Sequence, residues 1–182
     1  INRYRNYAGD PAERFEIRPQ PATEVSMSKE KKKKKAKHED AMLILKLYEL
    51  RREGKLREAR DWYASQFFPE SIDDFKAVFA QGSPHNAHFR MVVSYWDMAA
   101  SFAVSGALDP YLLLESSGEM CLVWAKLEKF IAQIRKESRL PEYLRNIEAV
   151  INMVDWAPDR VRWVQKRFSV FRAQTTQAAA GS

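Results

Sequence analysis

The sequence predicts an all-α protein, an irregular bundle of six to seven helices behind an extended N-terminal tail. Three observations lead there. No segment shows sustained period-two alternation, the mark of a half-buried strand. Apolar residues recur instead three and four apart, most cleanly at Met120, Trp124, Leu127, Ile131 and Ile134. Cap-forming residues and prolines punctuate these stretches, while glycine occurs only six times in 182 residues.

Residues 1–26 contain Pro11, Pro19 and Pro21 and show no helical period. Tyr4, Tyr7 and Phe15 are spaced among arginines. Such a segment buries too little apolar surface to fold alone, but it can order along a partner. Met27-Ser28, ahead of a lysine run, reads as a translation start, so residues 1–26 are expected to be an alternative extension or to belong to something else. The expected organisation is a tail over 1–38, a helical domain over 39–173 and a flexible C-terminal tail over 174–182.

The first helix is expected over 40–53, with Ala41, Ile44, Leu45 and Tyr48 on a face widened by Leu43, Leu47 and Leu50. Gly54 is placed to cap its end. A second helix over 55–67 carries Leu56, Ala59, Tyr63 and Phe67, and the two should form an antiparallel hairpin. This hairpin resembles a single tetratricopeptide unit, but no second copy appears at the required period. Ser71 with Asp74 signals a helix over 71–80, and Ser83-Pro84 a long apolar helix that runs to about Val104 and ends at Gly106. That helix is apolar nearly all round and should be central. Asp109-Pro110 starts a short helix, and Ser116 with Glu119 forms a capping box for a helix over 118–138. Pro141 and Pro158 open the last two, over 141–154 and 158–172.

Charge is informative once located. Residues 1–26 hold four arginines and four acids, and residues 38–182 hold 19 basic and 19 acidic residues. The net charge of +6 therefore sits in residues 27–37, with seven lysines and one glutamate. A single cysteine, Cys121, excludes an internal disulfide and fits a reducing compartment. The longest apolar run, Met91 to Val104, is broken by Asp97 and is shorter than the ~20 residues of a membrane span. The expected location is cytoplasmic, at most peripheral to a membrane or a large complex.

The stretch from Ser94-Tyr95-Trp96 through Gly106-Ala107-Leu108-Asp109 to Gly118-Glu119-Met120 and Val123-Trp124, followed by Arg135, resembles a bacterial all-helical domain family of unknown function. The likeness covers roughly residues 40–155 and rests on core and turn residues. It implies a helical fold and carries over no activity and no catalytic residue. Family members tend to have a membrane helix upstream, where this sequence has its lysine tract.

Few residues suggest chemistry. His85 and His88 stand three apart, but a zinc site needs three or four ligands and none follows at a matching spacing. Cys121 has no nearby histidine and reads as a small core residue. Asp97, inside an apolar helix, must be paired, with Arg90 or Arg135 as the expected structural partner. The acid pairs Glu39-Asp40 and Asp73-Asp74 suit the positive ends of helices. No catalytic residue, metal or cofactor is assigned. The expected function is a non-catalytic accessory subunit that binds protein partners in a larger assembly. Tyr4, Tyr7 and Phe15 in the tail and Arg160, Trp163, Arg167 and Val170 in the last helix carry those contacts. The alternative is a nucleic-acid or anionic-membrane tether through Lys31, Lys32, Lys33, Lys34, Lys35 and Lys37.

Overall fold

The computed structural model describes residues 36–180, with side chains as far as Ser169. They form eight helices and no strand: α1 (His38–Arg51), α2 (Gly54–Ser65), α3 (Ile72–Ala77), α4 (Asn86–Val104), α5 (Pro110–Ser116), α6 (Glu119–Ser138), α7 (Arg145–Met153) and α8 (Ala157–Ala180). The class is the expected one, with one helix more than the upper expectation.

The expected centre is correct. α4 packs most extensively against α2 and α7, while α6 packs against α8. Phe89, Val92, Trp96, Ala99 and Ala100 of α4 are all within 1% of full burial. Met98 and Val104 remain 38% and 40% exposed, so α4 is not enclosed all round. The α6 stripe of Met120, Trp124, Leu127, Ile131 and Ile134 is buried throughout. On α2, Leu56, Ala59 and Tyr63 are buried as expected, joined by Trp62 and by Phe67 just past the helix end.

The helix starts show which local signals survive in three dimensions. Ser71 and Asp74 form the expected capping box. The Ser71 hydroxyl accepts the Asp74 amide at 3.1 Å, and the Asp74 carboxylate accepts the Ser71 amide at 2.9 Å. Asp109 accepts the Leu112 amide at 2.8 Å, with Pro110 in the first turn of α5. Gly106 closes the α4 connection with φ of 80°, a left-handed value that glycine adopts without strain.

Other signals are overruled. Gly54 does not cap α1; Arg52 does, and Gly54 is the first residue of α2. Glu53 caps α2 instead, its carboxylate accepting the Leu56 amide at 2.8 Å. α4 begins at Asn86, because Ser83-Pro84 stays in the turn that follows Gly82. Ser116 and Glu119 form no capping box. The Ser116 hydroxyl donates to the Leu113 carbonyl at 2.9 Å, Gly118 caps α6, and Glu119 turns to arginines of α1 and α2. α7 begins at Arg145, four residues after Pro141, with Leu144 left-handed at φ of 54° before it. α3 stops at Ala77, and α8 runs to Ala180, beyond the expected end near 172.

The wide apolar face expected on α1 is mostly not buried. Leu47 is buried and Leu43 and Ile44 are half-buried against the core, while Met42, Leu45, Tyr48 and Leu50 are 46%, 55%, 54% and 53% exposed. α1 lies on α2 and α5 along one flank, and nothing among the described residues covers the other. Asp40 fixes its start, accepting the Lys37 amide at 2.7 Å and the Asp109 amide at 3.2 Å.

Candidate functional site

The last helix presents two faces, as its pattern predicts. At about 100° per residue, Val161, Val164 and Phe168 fall on one side and Trp163 on the other. Val161 and Val164 are buried, and Phe168 meets Phe68 edge-on at 5.3 Å. Trp163 is 51% exposed, with the guanidinium carbons of Arg160 and Arg167 at 5.2 and 5.0 Å from its ring centre. These distances are in cation–π range. Three of the four residues of α8 expected to carry partner contacts are therefore adjacent. Val170 lies past the described side chains, and Tyr4, Tyr7, Phe15 and Lys31–Lys35 lie outside the described residues. Lys37, the last member of the lysine tract, is exposed directly before α1.

A second surface is an open cavity of about 930 Å³ between α3, α4, the end of α6 and the turn before α7. Phe75, Phe79, Phe89, Met91, Ile134 and Tyr143 form its apolar walls, with Arg90 and Asp97 among its polar lining. Burial pushes the Tyr143 hydroxyl up to about 12, with the charge of Asp97 adding to it. Asp97 pairs with neither Arg90 nor Arg135. Its carboxylate accepts the Asn146 side-chain amide at 3.1 Å and the Ile147 backbone amide at 3.4 Å. A carboxylate from α4 thus caps α7, accepting one backbone amide of its first turn. Arg135 pairs instead with Glu148 at 2.7 Å and donates to the Tyr143 carbonyl at 3.0 Å.

The third place is Glu119 at the start of α6. Arg60 grips its carboxylate through Nε at 2.7 and 2.9 Å and Nη2 at 2.6 Å. Arg51 reaches it at 3.4 Å and the Trp96 indole N–H at 3.3 Å. Only 15% of the Glu119 side chain is exposed. Charge-assisted, forked pairing of this kind is stronger than a local capping bond, which explains why Glu119 leaves Ser116. Two turns on, Lys126 is 3% exposed. Its ammonium donates to the Tyr63 and Ala64 carbonyls at 2.5 and 3.2 Å and lies 3.9 Å over the Phe68 ring. It closes the carbonyl end of α2 from a neighbouring helix. The sequence carried a signal for it, a lone cation inside the apolar run Val123-Trp124-Ala125-Lys126-Leu127.

The remaining polar candidates have structural settings. His85 stacks on Trp62 at 4.7 Å and 10°, and His88 lies 5.9 Å from the same ring. No group of three or more His, Cys, Asp or Glu residues among those described is placed to hold a metal. Burial raises the Cys121 thiol to about 11, far from the thiolate range needed for nucleophilic chemistry. No helix among the described residues is long and apolar enough to cross a membrane.

Among the described residues the fold is an all-helical domain built around one apolar core. Residues 36–156 match the model of a family described as a domain of unknown function (DUF4760), and the chain belongs to that family. The match agrees with the expected span of roughly 40–155 and ends just before α8. No curated protein and no solved structure matches the chain.

Proposed function

We propose that this protein is a non-catalytic helical subunit of a larger assembly, binding a protein partner through the outer face of α8. The observation that carries the reading is Trp163, half-exposed between Arg160 and Arg167. Tryptophan and arginine dominate the energetic centres of protein interfaces, where a large ring and forked donors give area and direction together. The two arginines hold the indole in one place before binding, which reduces the ordering cost of association. Tyr4, Tyr7 and Phe15 are proposed to add contacts from the N-terminal tail. The Asp97, His85 and Cys121 settings give no reason to add a chemical step, and a cytoplasmic location suits the reading.

The test is purification of the tagged full chain from its native cell at moderate and at high salt. The expected result is a stoichiometric protein that survives high salt and is lost with Trp163→Ala, which should weaken binding by about 30-fold or more. Circular dichroism should show that variant melting like the parent, because the side chain is half outside the core. A partner retained by Trp163→Ala would overturn the role of α8. Nucleic acid or anionic lipid that washes off with salt would favour the second reading, a tether through Lys31–Lys35 and Lys37. The observation behind that alternative is the concentration of the whole +6 charge in residues 27–37.

A further inference from the structure

A hollow of about 300 Å³ opens where the end of α1 meets α2, lined by Tyr48, Arg51, Arg52, Arg57 and Arg60. Four guanidinium groups share it, and the one carboxylate they engage is Glu119, gripped by Arg60 and Arg51. The nearest acids in the chain are occupied elsewhere. Glu49 pairs with Lys46 at 2.8 Å, and Glu53 accepts the Leu56 amide at 2.8 Å. Backbone carbonyls at the end of α1 take up part of the donor capacity. Arg60 Nη1 donates to the Arg51 carbonyl at 3.3 Å, and Arg57 Nη2 donates to the Arg52 carbonyl at 3.2 Å. Much remains unused. Arg51 Nε is buried without any partner, and the Arg52 guanidinium makes only a ring contact with Tyr48 at 5.9 Å.

We propose that this hollow binds a phosphate-type dianion, carried by a small soluble molecule or by a lipid headgroup. The charge balance favours that ligand over a carboxylate. Four arginines against Glu119 and the neighbouring Glu53, whose carboxylate feels the charge of Arg57, leave two positive charges, and a single carboxylate would neutralise only one. Guanidinium forks match phosphoryl oxygens two at a time, and arginine never loses its charge in doing so. The volume lies at the small end of ligand sites, so it suits a head group or a compact phosphate ester. Glu119 acts as the internal brace. Held by Trp96, it fixes Arg60 and Arg51 while Arg52 and Arg57, both exposed, stay available to close on the ligand. The site is separate from α8 and does not depend on the reading proposed above.

The full chain should be titrated with inorganic pyrophosphate by calorimetry, against sodium chloride at matched ionic strength. The expected result is saturable binding that the salt control does not produce. Arg52→Gln and Arg57→Gln should each weaken it by about tenfold or more without lowering the melting temperature of the free protein, because neither side chain is in the core. Replacing Lys31–Lys35 and Lys37 with glutamine should leave the pyrophosphate affinity within about twofold. Co-sedimentation with vesicles containing a phosphorylated inositol lipid identifies the source. Vesicle binding lost in the two arginine variants assigns a headgroup, and pyrophosphate binding without vesicle binding assigns a soluble ligand. Absence of saturable binding, or binding that survives Arg52→Gln with Arg57→Gln, overturns the proposal.

Discussion

α1 and α6 start from similar material and end in different environments. Eight of the fourteen residues of α1 are apolar, against eleven of twenty in α6. Nine of the eleven in α6 are buried, but only Leu47 of the eight in α1. The difference lies in the neighbours. α6 is covered by α8, with α4 and α7 also against it, so its stripe meets apolar surface along its length. α1 leans on α2 and α5 with one flank and meets α4 through the Tyr95 hydroxyl, which donates to the Leu47 carbonyl at 2.8 Å, and through the Arg51 guanidinium, 5.4 Å from the Trp96 ring centre. Apolar content therefore selects a helix, but burial requires elements on enough sides. The outer flank of α1, with Met42, Leu45 and Tyr48, is left as a large exposed apolar strip beside the arginine hollow.

The comparison makes its largest claim about Leu127, which is fully buried on α6. Leu127→Ala should cost about 2–5 kcal/mol in denaturant unfolding, from lost transfer energy and the cavity left behind. A cost under about 1 kcal/mol would mean that the α6 stripe is less tightly enclosed than its burial indicates.

An intermediate effect should appear at the tether between α1 and α4. Tyr95→Phe removes one hydrogen bond, worth about 1 kcal/mol at neutral pH. Burial also raises the Tyr95 and Tyr143 hydroxyls to about 12. Between pH 10 and 12 the unfolded chain loses these protons while the folded chain keeps them. Stability must then fall as pH rises through that window. Equilibrium unfolding across it should show the decline, and Tyr95→Phe or Tyr143→Phe should make it shallower. An unchanged slope in both variants would locate the alkaline sensitivity elsewhere.

The smallest effect belongs to the outer flank of α1. Leu45→Glu should change stability by no more than about 0.5 kcal/mol, because Leu45 is 55% exposed. A loss like that of Leu127→Ala would show that this flank is covered in the protein as isolated, for instance by a second copy.

The candidate sites were legible to different degrees. The two-faced pattern of α8 was readable because a helix places residues at fixed angles, so Val161 and Val164 predict the opposite exposure of Trp163. Asp97 stood out as an acid inside an apolar helix and is half-buried, yet its partners could not be read, since Asn146 and Ile147 lie about fifty residues away and only packing brings them near. The arginine hollow left no local signature. Arg51, Arg52, Arg57 and Arg60 look like ordinary solvated charges until the α1–α2 corner folds them onto Glu119.

The sequence by itself determined the helical class, the positions of nearly all helices, the α6 stripe and the starts of α3 and α5. Each of these depends on residues within one or two turns of one another, and such local preferences act before any tertiary contact exists. Tertiary structure alone decided which apolar faces were covered and where the charges found partners. Glu119 left Ser116 for Arg60, Asp97 capped a helix other than its own, and Lys126 closed α2 from α6. A buried charge takes the strongest partner within reach, and the folded chain, not the distance along the sequence, sets that reach.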